Sequence, residues 1–347
     1  MDKRVIFAVA GSGKTTYIIN SLDLEKKSII VTYTNNNYFN LKTGIIKKFG
    51  YIPTNIKLYT YYSFLHSFCY KPFLSDELKT KGINYDVPYN RYTAKVNLDH
   101  YIDKNNRLYS SRISKLLIEL KLVEDINKRL SKYFDNLFID EIQDFASNDF
   151  NLLKGLVKSN LNVLFVGDFF QHTFDTSRDG TTNKNLHENF NNYQTEFRKA
   201  GLQIDLTTLN KSWRCSPTVC KYITENLGIQ IESHKINETE IIIVDSKENA
   251  LKIHSNSEIV KLFYQEHYKF NCFSRNWGDS KGEDRYYDVC VVMNKTTFEK
   301  YQKNKLNELA STTTNKFYVA LSRTKNNLYL MNEELIKELK EKKKANS

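Results

Sequence analysis

The chain opens on an apolar run, Arg4–Val9, that passes into a glycine loop and then a helical pattern over Lys14–Ser21. Short β-rich runs follow at Ser28–Thr32, Asn55–Leu58, Asn136–Ile139 and Asn162–Val166, with helical patterns between them. These runs are apolar at nearly every position, as strands covered on both faces must be, and strands that alternate with helices pair in parallel. The pattern therefore predicts an α/β fold. From about Lys71 to Ser111 it dissolves into a polar, Tyr-rich stretch, read as a small insertion (about 71–111) on the first domain. A second α/β unit begins near Gln203, with strands around Ile204–Leu209, Glu240–Val244, Asp288–Val292 and Asn327–Met331. Its helices include Pro217–Leu227, which carries Pro in its first turn. The division predicted is a first domain over 1–202 and a second over 203–347, each long enough to bury its own core.

Composition alters this picture little. No apolar run approaches the roughly 20 residues that span a bilayer, and the first one is a buried strand rather than a signal peptide. No membrane association is expected. The five cysteines are scattered, with no CxxC pair, so neither a zinc site nor a disulfide framework is indicated. Reduced thiols in a cytoplasmic protein are expected. The formal charge of +11 fits a polyanionic partner. The excess of Lys, Asn, Ile and Tyr over only 4 Pro is also what an AT-rich genome would give, so the charge carries little weight alone. The terminal run ELKEKKKANS reads as a frayed, solvated helix end.

Candidate chemistry is concentrated in three places. Ala10-Gly11-Ser12-Gly13-Lys14-Thr15 follows a strand and opens a helix, a context in which backbone N–H groups turn inward to cradle phosphates. Lys14 would reach the β and γ phosphates and the Thr15 hydroxyl would ligate Mg²⁺. Ala8 stands where the usual first glycine would be. The strand Asn136–Ile139 ends in Asp140-Glu141, at the edge where an α/β sheet places its chemistry. Asp140 can hold the same Mg²⁺, and Glu141 can polarise the attacking water. Taken alone, Asp-Glu after a strand is as often a solvated turn; behind a phosphate loop the functional reading is favoured. The strand Asn162–Val166 ends in Gly167-Asp168-Phe169-Phe170-Gln171, which places Gln171 to sense the γ-phosphate.

Together these motifs resemble the UvrD-like superfamily 1 helicases. AGSGKT is similar to the family's first motif, and Thr32-Tyr33-Thr34-Asn35 and Thr60-Tyr61-Tyr62-Ser63-Phe64 resemble its strand-contacting segments. DEIQD and VGDFFQ are similar to its hydrolysis and coupling motifs. Ser212-Trp213-Arg214-Cys215-Ser216 resembles the motif that opens the second motor domain, and Ser280-Lys281-Gly282 resembles the Lys-Gly motif. Tyr318-Val319-Ala320-Leu321-Ser322-Arg323-Thr324 is close to the final motif. The order is the family's, from residue 8 to 324. The resemblance implies two RecA-like P-loop motor domains with parallel sheets, ATP and Mg²⁺ as cofactors, and single-stranded DNA as partner, with RNA left open.

It also implies residue roles. Arg214 and Arg323 would be arginine fingers closing on the γ-phosphate, and Trp213 would stack on the adenine. Ala10 to Thr16, with Gly282, would complete the nucleotide site. Tyr33, Thr34, Asn35, Thr60, Ser63 and Phe64 offer the mixture of aromatic faces and polar groups that sequence-tolerant binding of one strand requires. His66 reads instead as a satisfied helix residue.

Several features depart from the family pattern. The glutamine segment that usually precedes the first motif is missing, and Thr16 stands where an arginine is common, so measurable GTP hydrolysis is expected. The stretch from Arg214 to Ser280 is too short for the large second accessory domain. Either Glu283 or Asp284 could take the nucleotide-sugar role, and Arg178 lies one position off the arginine that follows the coupling motif. Two readings stand: a translocase or helicase moving 3′ to 5′ by resemblance, and a nucleotide-gated subunit that regulates a nuclease or other partner. A P-loop small-molecule kinase fits the first motif alone.

Overall fold

The computed structural model describes residues 1–89, 92–173, 176 and 180–340. Arg178 and the end of the terminal run, after Lys340, lie outside the described residues. The chain divides into two compact units. The first comprises Met1–Phe7, Lys14–Gly167 and Phe174–Leu206; the second comprises Ala8–Gly13, Asp168–Thr173 and Thr207–Ser347.

The first unit contains β1 (Lys3–Phe7), β2 (Ser28–Thr32), β3 (Ile56–Thr60), β4 (Ile83–Asn84), β5 (Leu108–Tyr109), β6 (Asn136–Asp140), β7 (Asn162–Gly167) and β8 (Gln203–Asp205). Six of them form a parallel sheet in the order β3-β2-β6-β7-β1-β8, and β4 pairs with β5 inside the insertion. Every residue of β2 and β6 is buried, as the continuous apolar pattern requires of strands covered on both faces. The two polar residues that open them satisfy each other, Asn136 Nδ2 donating to Ser28 Oγ at 3.1 Å. After β2, Thr34 caps the helix Asn35–Phe49 by accepting from the Asn37 N–H, and Gly50 ends it with a left-handed φ of 81°.

Where a Tyr-rich insertion is expected from Lys71, the chain is still helical. A helical turn at Tyr61–Ser63 leads into a π-helix, Phe64–Tyr70, and then the helix Lys71–Leu78. The strand expected over Ile204–Leu209 is also shorter and differently placed. Only Gln203–Asp205 is extended, and it pairs with β1 at the edge of the first sheet rather than opening the second.

The second unit contains β9 (Lys211–Ser212), β10 (Glu232–Ser233), β11 (Ile241–Val244), β12 (Val260–Phe263), β13 (Ser274–Asn276), β14 (Val289–Met293) and β15 (Leu328–Asn332). The last five form a parallel sheet in the order β11-β15-β14-β12-β13, while β9 and β10 pair separately. The sequence pattern does not show β12 or β13. Lys261 interrupts the apolar run of β12, yet its side chain is buried and its Nζ donates to the Asn256 carbonyl at 2.5 Å. The helix Pro217–Leu227 forms over the expected residues, with Ser216 as its cap. Among the described residues no helix is long and apolar enough to cross a membrane.

Candidate nucleotide and nucleic-acid site

In the first unit, Lys14, Thr15 and Thr16 open the helix that follows the glycine loop; Thr16 faces solvent and the other two are partly exposed. Asp140 ends β6 at the carboxyl edge of the sheet, with almost no exposed surface. Its Oδ2 accepts from Thr32 Oγ1 at 3.3 Å, whereas its Oδ1 is buried without a hydrogen-bond partner. Burial first, and then the negative charge of Glu141, raise the Asp140 carboxyl to about 7, and Lys14 opposes the rise. A buried carboxylate with one oxygen unused suits a divalent cation, which would restore the lost solvation. Among the described residues no cluster of three His, Cys, Asp or Glu side chains forms a metal cage. A Mg²⁺ bound through one carboxylate, a hydroxyl and substrate phosphates would need no such cage.

Glu141 follows in a left-handed conformation, φ 55° and ψ 47°, unusual for a residue with a Cβ and of the kind that collects at active sites. Gln143 Nε2 donates to Glu141 Oε2 and so orients the carboxylate. Gly167, at the end of β7, leaves room for this turn, because a Cβ there would lie 2.2 Å from Gln143 Oε1 and 2.8 Å from Ile142 Cγ2.

The residues expected to touch a nucleic-acid strand are less uniform. Thr34 caps the following helix by accepting from the Asn37 N–H, and Asn35 is exposed beside it. Thr60 Oγ1 donates to Ser63 Oγ at 2.9 Å near the end of β3. Tyr33 is half-buried, its ring edge-on to Tyr62 at 6.0 Å and to Phe145 at 6.3 Å, and burial raises its hydroxyl pKa. Phe64 corrects the expectation. It is 0% exposed and stacks on Phe68 at 5.6 Å, so it has no face to offer a base. Two tyrosines not singled out from the sequence keep exposed surface. Tyr62 is partly exposed and meets Tyr85 edge-on at 5.3 Å, and Tyr85 is 66% exposed.

The second unit takes in the glycine loop itself. Gly11 and Gly13 have φ of 70° and 88°, and Ser12 is buried with an unpartnered Oγ. The Val9 N–H donates to Leu209 O at 3.0 Å and the Trp213 N–H donates to Gly11 O at 2.9 Å. A Cβ on Gly11 would lie 2.7 Å from Arg214 Cβ, so the loop admits only glycine there, by space and by φ. One buried hydroxyl ties three motifs together. Tyr318 Oη accepts from the Ala10 N–H at 2.9 Å and donates to Asp168 Oδ2 at 3.1 Å. Burial, and then the charge of Asp168, keep this hydroxyl protonated by raising its pKa well above the usual tyrosine value. Gln171 lies three residues on, buried, with its N–H donating to Asp168 O at 2.9 Å. Neither Tyr318 nor Asp168 is singled out by sequence alone, because a hydroxyl and a carboxylate 150 residues apart show no local pattern.

Both candidate finger arginines are engaged within their own unit. Arg214 Nε donates to Asp284 Oδ1 at 2.6 Å and its Nη1 to Ser322 O at 3.1 Å. Arg323 is 1% exposed and donates to Val319 O and Glu283 O, each at 3.1 Å. Burial and the positive charge of Arg214 lower it to about 9. Of the two carboxylates left open by the sequence, Asp284 pairs with Arg214, while Glu283 accepts from Tyr286 and Arg275. Gly282 takes a left-handed φ of 82° next to them. Trp213 is 64% exposed, with one face stacked on His234 at 3.8 Å and 13°.

This arrangement is that of a P-loop α/β protein with two parallel-sheet units, and comparison with known proteins agrees. Residues 79–175 match the model of the UvrD/REP helicase N-terminal domain, so over that segment the UvrD-like resemblance of the motifs has independent support. Among curated proteins, none matches the sequence. The fold is similar to arterivirus nonstructural protein 10, a helicase solved in complex with DNA, at a TM-score of 0.52 and 12% identity, covering 97% of this chain and 62% of that one. A second crystal structure of arterivirus nonstructural protein 10 gives 0.50 and 13%, with the same coverage. The PRRSV helicase structure scores 0.47 at 14% identity, covering 95% of this chain and 52% of that one. The chain thus spans between about half and three fifths of the length of these helicases. At such identities the likeness bears on fold alone.

Proposed function

We propose that the chain is an ATP-driven nucleic-acid translocase or helicase of the UvrD-like superfamily 1 type, moving on single-stranded DNA with 3′-to-5′ polarity. The observation that carries this reading is Asp140, a buried carboxylate with an unpartnered oxygen, whose pKa the charge of Glu141 raises and Lys14 lowers. A carboxylate held at the expense of its own solvation at the carboxyl edge of a parallel sheet is the arrangement that functional sites favour.

Bound ATP and Mg²⁺ supply the scissile phosphoanhydride and the charge that screens it. By the motif resemblance, Lys14 would bind the terminal phosphates, Thr15 and Asp140 would hold the metal, and the Gly11–Gly13 amides would cradle the phosphate chain. Glu141, oriented by Gln143, would position and deprotonate the attacking water. Gln171 senses whether the γ-phosphate is present. By the motif resemblance, Arg214 and Arg323 would stabilise charge on the transferred group, and for Arg214 that would require release from Asp284. Trp213 offers its open face to the base. Tyr33, Tyr62 and Tyr85, with Thr34, Asn35, Thr60 and Ser63, form the strand-contacting surface.

A second reading is favoured by the state of those arginines. With Arg214 paired to Asp284 and Arg323 donating to carbonyls, each arginine must exchange these partners before it can act on a γ-phosphate. A partner that shifts this balance would make it a nucleotide-gated regulatory subunit. Strand displacement from duplexes with 3′ or 5′ single-stranded tails separates the two. Displacement by the isolated chain from the 3′-tailed substrate supports the motor. Nucleotide-dependent partner binding without displacement supports the gate.

A further inference from the structure

The first unit carries a basic, aromatic-walled pocket on the side of β3 that the nucleotide reading does not use. It has a volume of about 410 Å³ and is lined by Lys27, Lys57 and Arg129 together with Phe68, Tyr133 and Phe134, and among the described residues no carboxylate lines it. The Arg129 guanidinium is clamped between two rings, 5.0 Å from Phe68 and 5.1 Å from Tyr133. That clamp fixes its orientation. Its Nε is buried and has no hydrogen-bond partner. A rigid guanidinium with an unused buried donor, in a pocket free of acids, is complementary to an incoming carboxylate or phosphate.

Phe64, expected from the sequence to meet a nucleic-acid strand, belongs instead to the wall behind this pocket. It packs between Phe68, at 5.6 Å, and Tyr59, at 6.4 Å. The rear of the pocket is therefore a fixed aromatic surface suited to an apolar side chain.

The neighbourhood selects the kind of ligand. β3 is an edge strand: its hydrogen-bonded neighbour is β2, and among the described residues no strand lies on its other side. A second pocket of about 380 Å³ adjoins the same strand and shares Lys57, Tyr59 and Thr54 with the first. It adds Lys42 with the apolar Ile45 and Ile52, and again no carboxylate. An open strand edge between two basic pockets with apolar walls is the arrangement that receives an extended peptide. The peptide backbone bonds to the edge and its side chains enter the flanking pockets. A nucleic-acid strand could use the cations and rings but has no use for the edge.

We propose that the edge of β3 is a docking site for an acidic, extended segment of a partner protein. The segment adds as a strand, with one carboxylate on Arg129, an aromatic or aliphatic side chain against the Phe68 and Phe134 rings of the same pocket, and further carboxylates against Lys57 and Lys42. The inference stands whether or not the chain hydrolyses ATP, and it is read without nucleotide.

The test is selection of random displayed peptides on the full chain, followed by fluorescence anisotropy of the enriched peptides made synthetically. Enriched sequences should alternate acidic with aromatic or aliphatic residues. Their affinity should fall by roughly tenfold or more on Lys57→Glu and on Arg129→Gln, about 1.4 kcal/mol per decade. Lys57 is exposed, so its variant keeps the fold even if Arg129→Gln weakens it. Methylating alternate peptide N–H groups should abolish binding. The proposal is overturned if no sequence is enriched, if both variants bind the peptides as the parent does, if methylated peptides bind equally well, or if oligothymidine displaces the peptide.

Discussion

Replacing Tyr318 by Phe removes one oxygen and leaves the ring in place, so it isolates the hydroxyl that joins the glycine loop to the coupling motif. Two buried contacts are lost, the bond from the Ala10 N–H at 2.9 Å and the bond to Asp168 Oδ2 at 3.1 Å. Leaving a buried donor unsatisfied costs about 1–3 kcal/mol, and a hydrogen bond to a charged acceptor contributes about 1.5–3. The two are not additive within one network, so the loop should lose about 2–4 kcal/mol of local stability. A two-unit chain need not unfold in one step, so a global melt is the wrong probe. Amide exchange across Val9–Gly13 is the direct one, and protection of Ala10 should fall by about 30- to 1,000-fold. The loop must then be ordered by the nucleotide itself, so KM for ATP should rise while circular dichroism stays unchanged. Protection within threefold of the parent, with an unchanged KM, would refute the idea that this hydroxyl organises the phosphate loop.

Other outcomes follow from the same geometry. Gly11→Ala forces a side chain into a left-handed φ of 70° and to 2.7 Å from Arg214 Cβ. Fluorescent-nucleotide titration should show affinity reduced by at least about tenfold, the equivalent of about 1–3 kcal/mol of strain. Asp140→Asn removes a like-charge neighbour of Glu141 and an unsolvated carboxylate. The metal-free protein should gain about 1 kcal/mol in thermal stability, while Mg²⁺-dependent hydrolysis disappears. Tyr62→Ala and Tyr85→Ala should each weaken oligothymidine binding by about 1–3 kcal/mol if these rings stack on bases. Phe64→Ala should act on the fold instead, costing about 3–5 kcal/mol in a urea titration.

Most of the first sheet was legible because its central strands are buried on both faces. Ser28–Thr32 is a strand over the expected residues, and β6 and β7 each run one residue further, into the acidic turn and the glycine that shape the site. The second sheet was legible only in part. A buried lysine disguises β12, and β13 is a three-residue strand, Ser-Arg-Asn, with no apolar letter at all. The nucleotide residues could be read because phosphate and metal chemistry demand particular groups at particular spacings. The nucleic-acid contacts could not, because a ring in the core and a ring at a binding face use the same letter. Phe64 shows the difficulty: it opens a π-helix, whose register departs from the helical period that would assign its face. The pairing of Arg214 with Asp284, 70 residues away, belongs to the same class of facts that only the fold supplies.

The central claim is that ATP turnover at Glu141 is coupled to a nucleic-acid strand. The most direct measurement is steady-state ATP hydrolysis by the full chain with and without single-stranded DNA, with Glu141→Gln as control. The account predicts strong stimulation by DNA that vanishes in the variant while nucleotide binding persists. Hydrolysis indifferent to DNA, or surviving in Glu141→Gln, would contradict it.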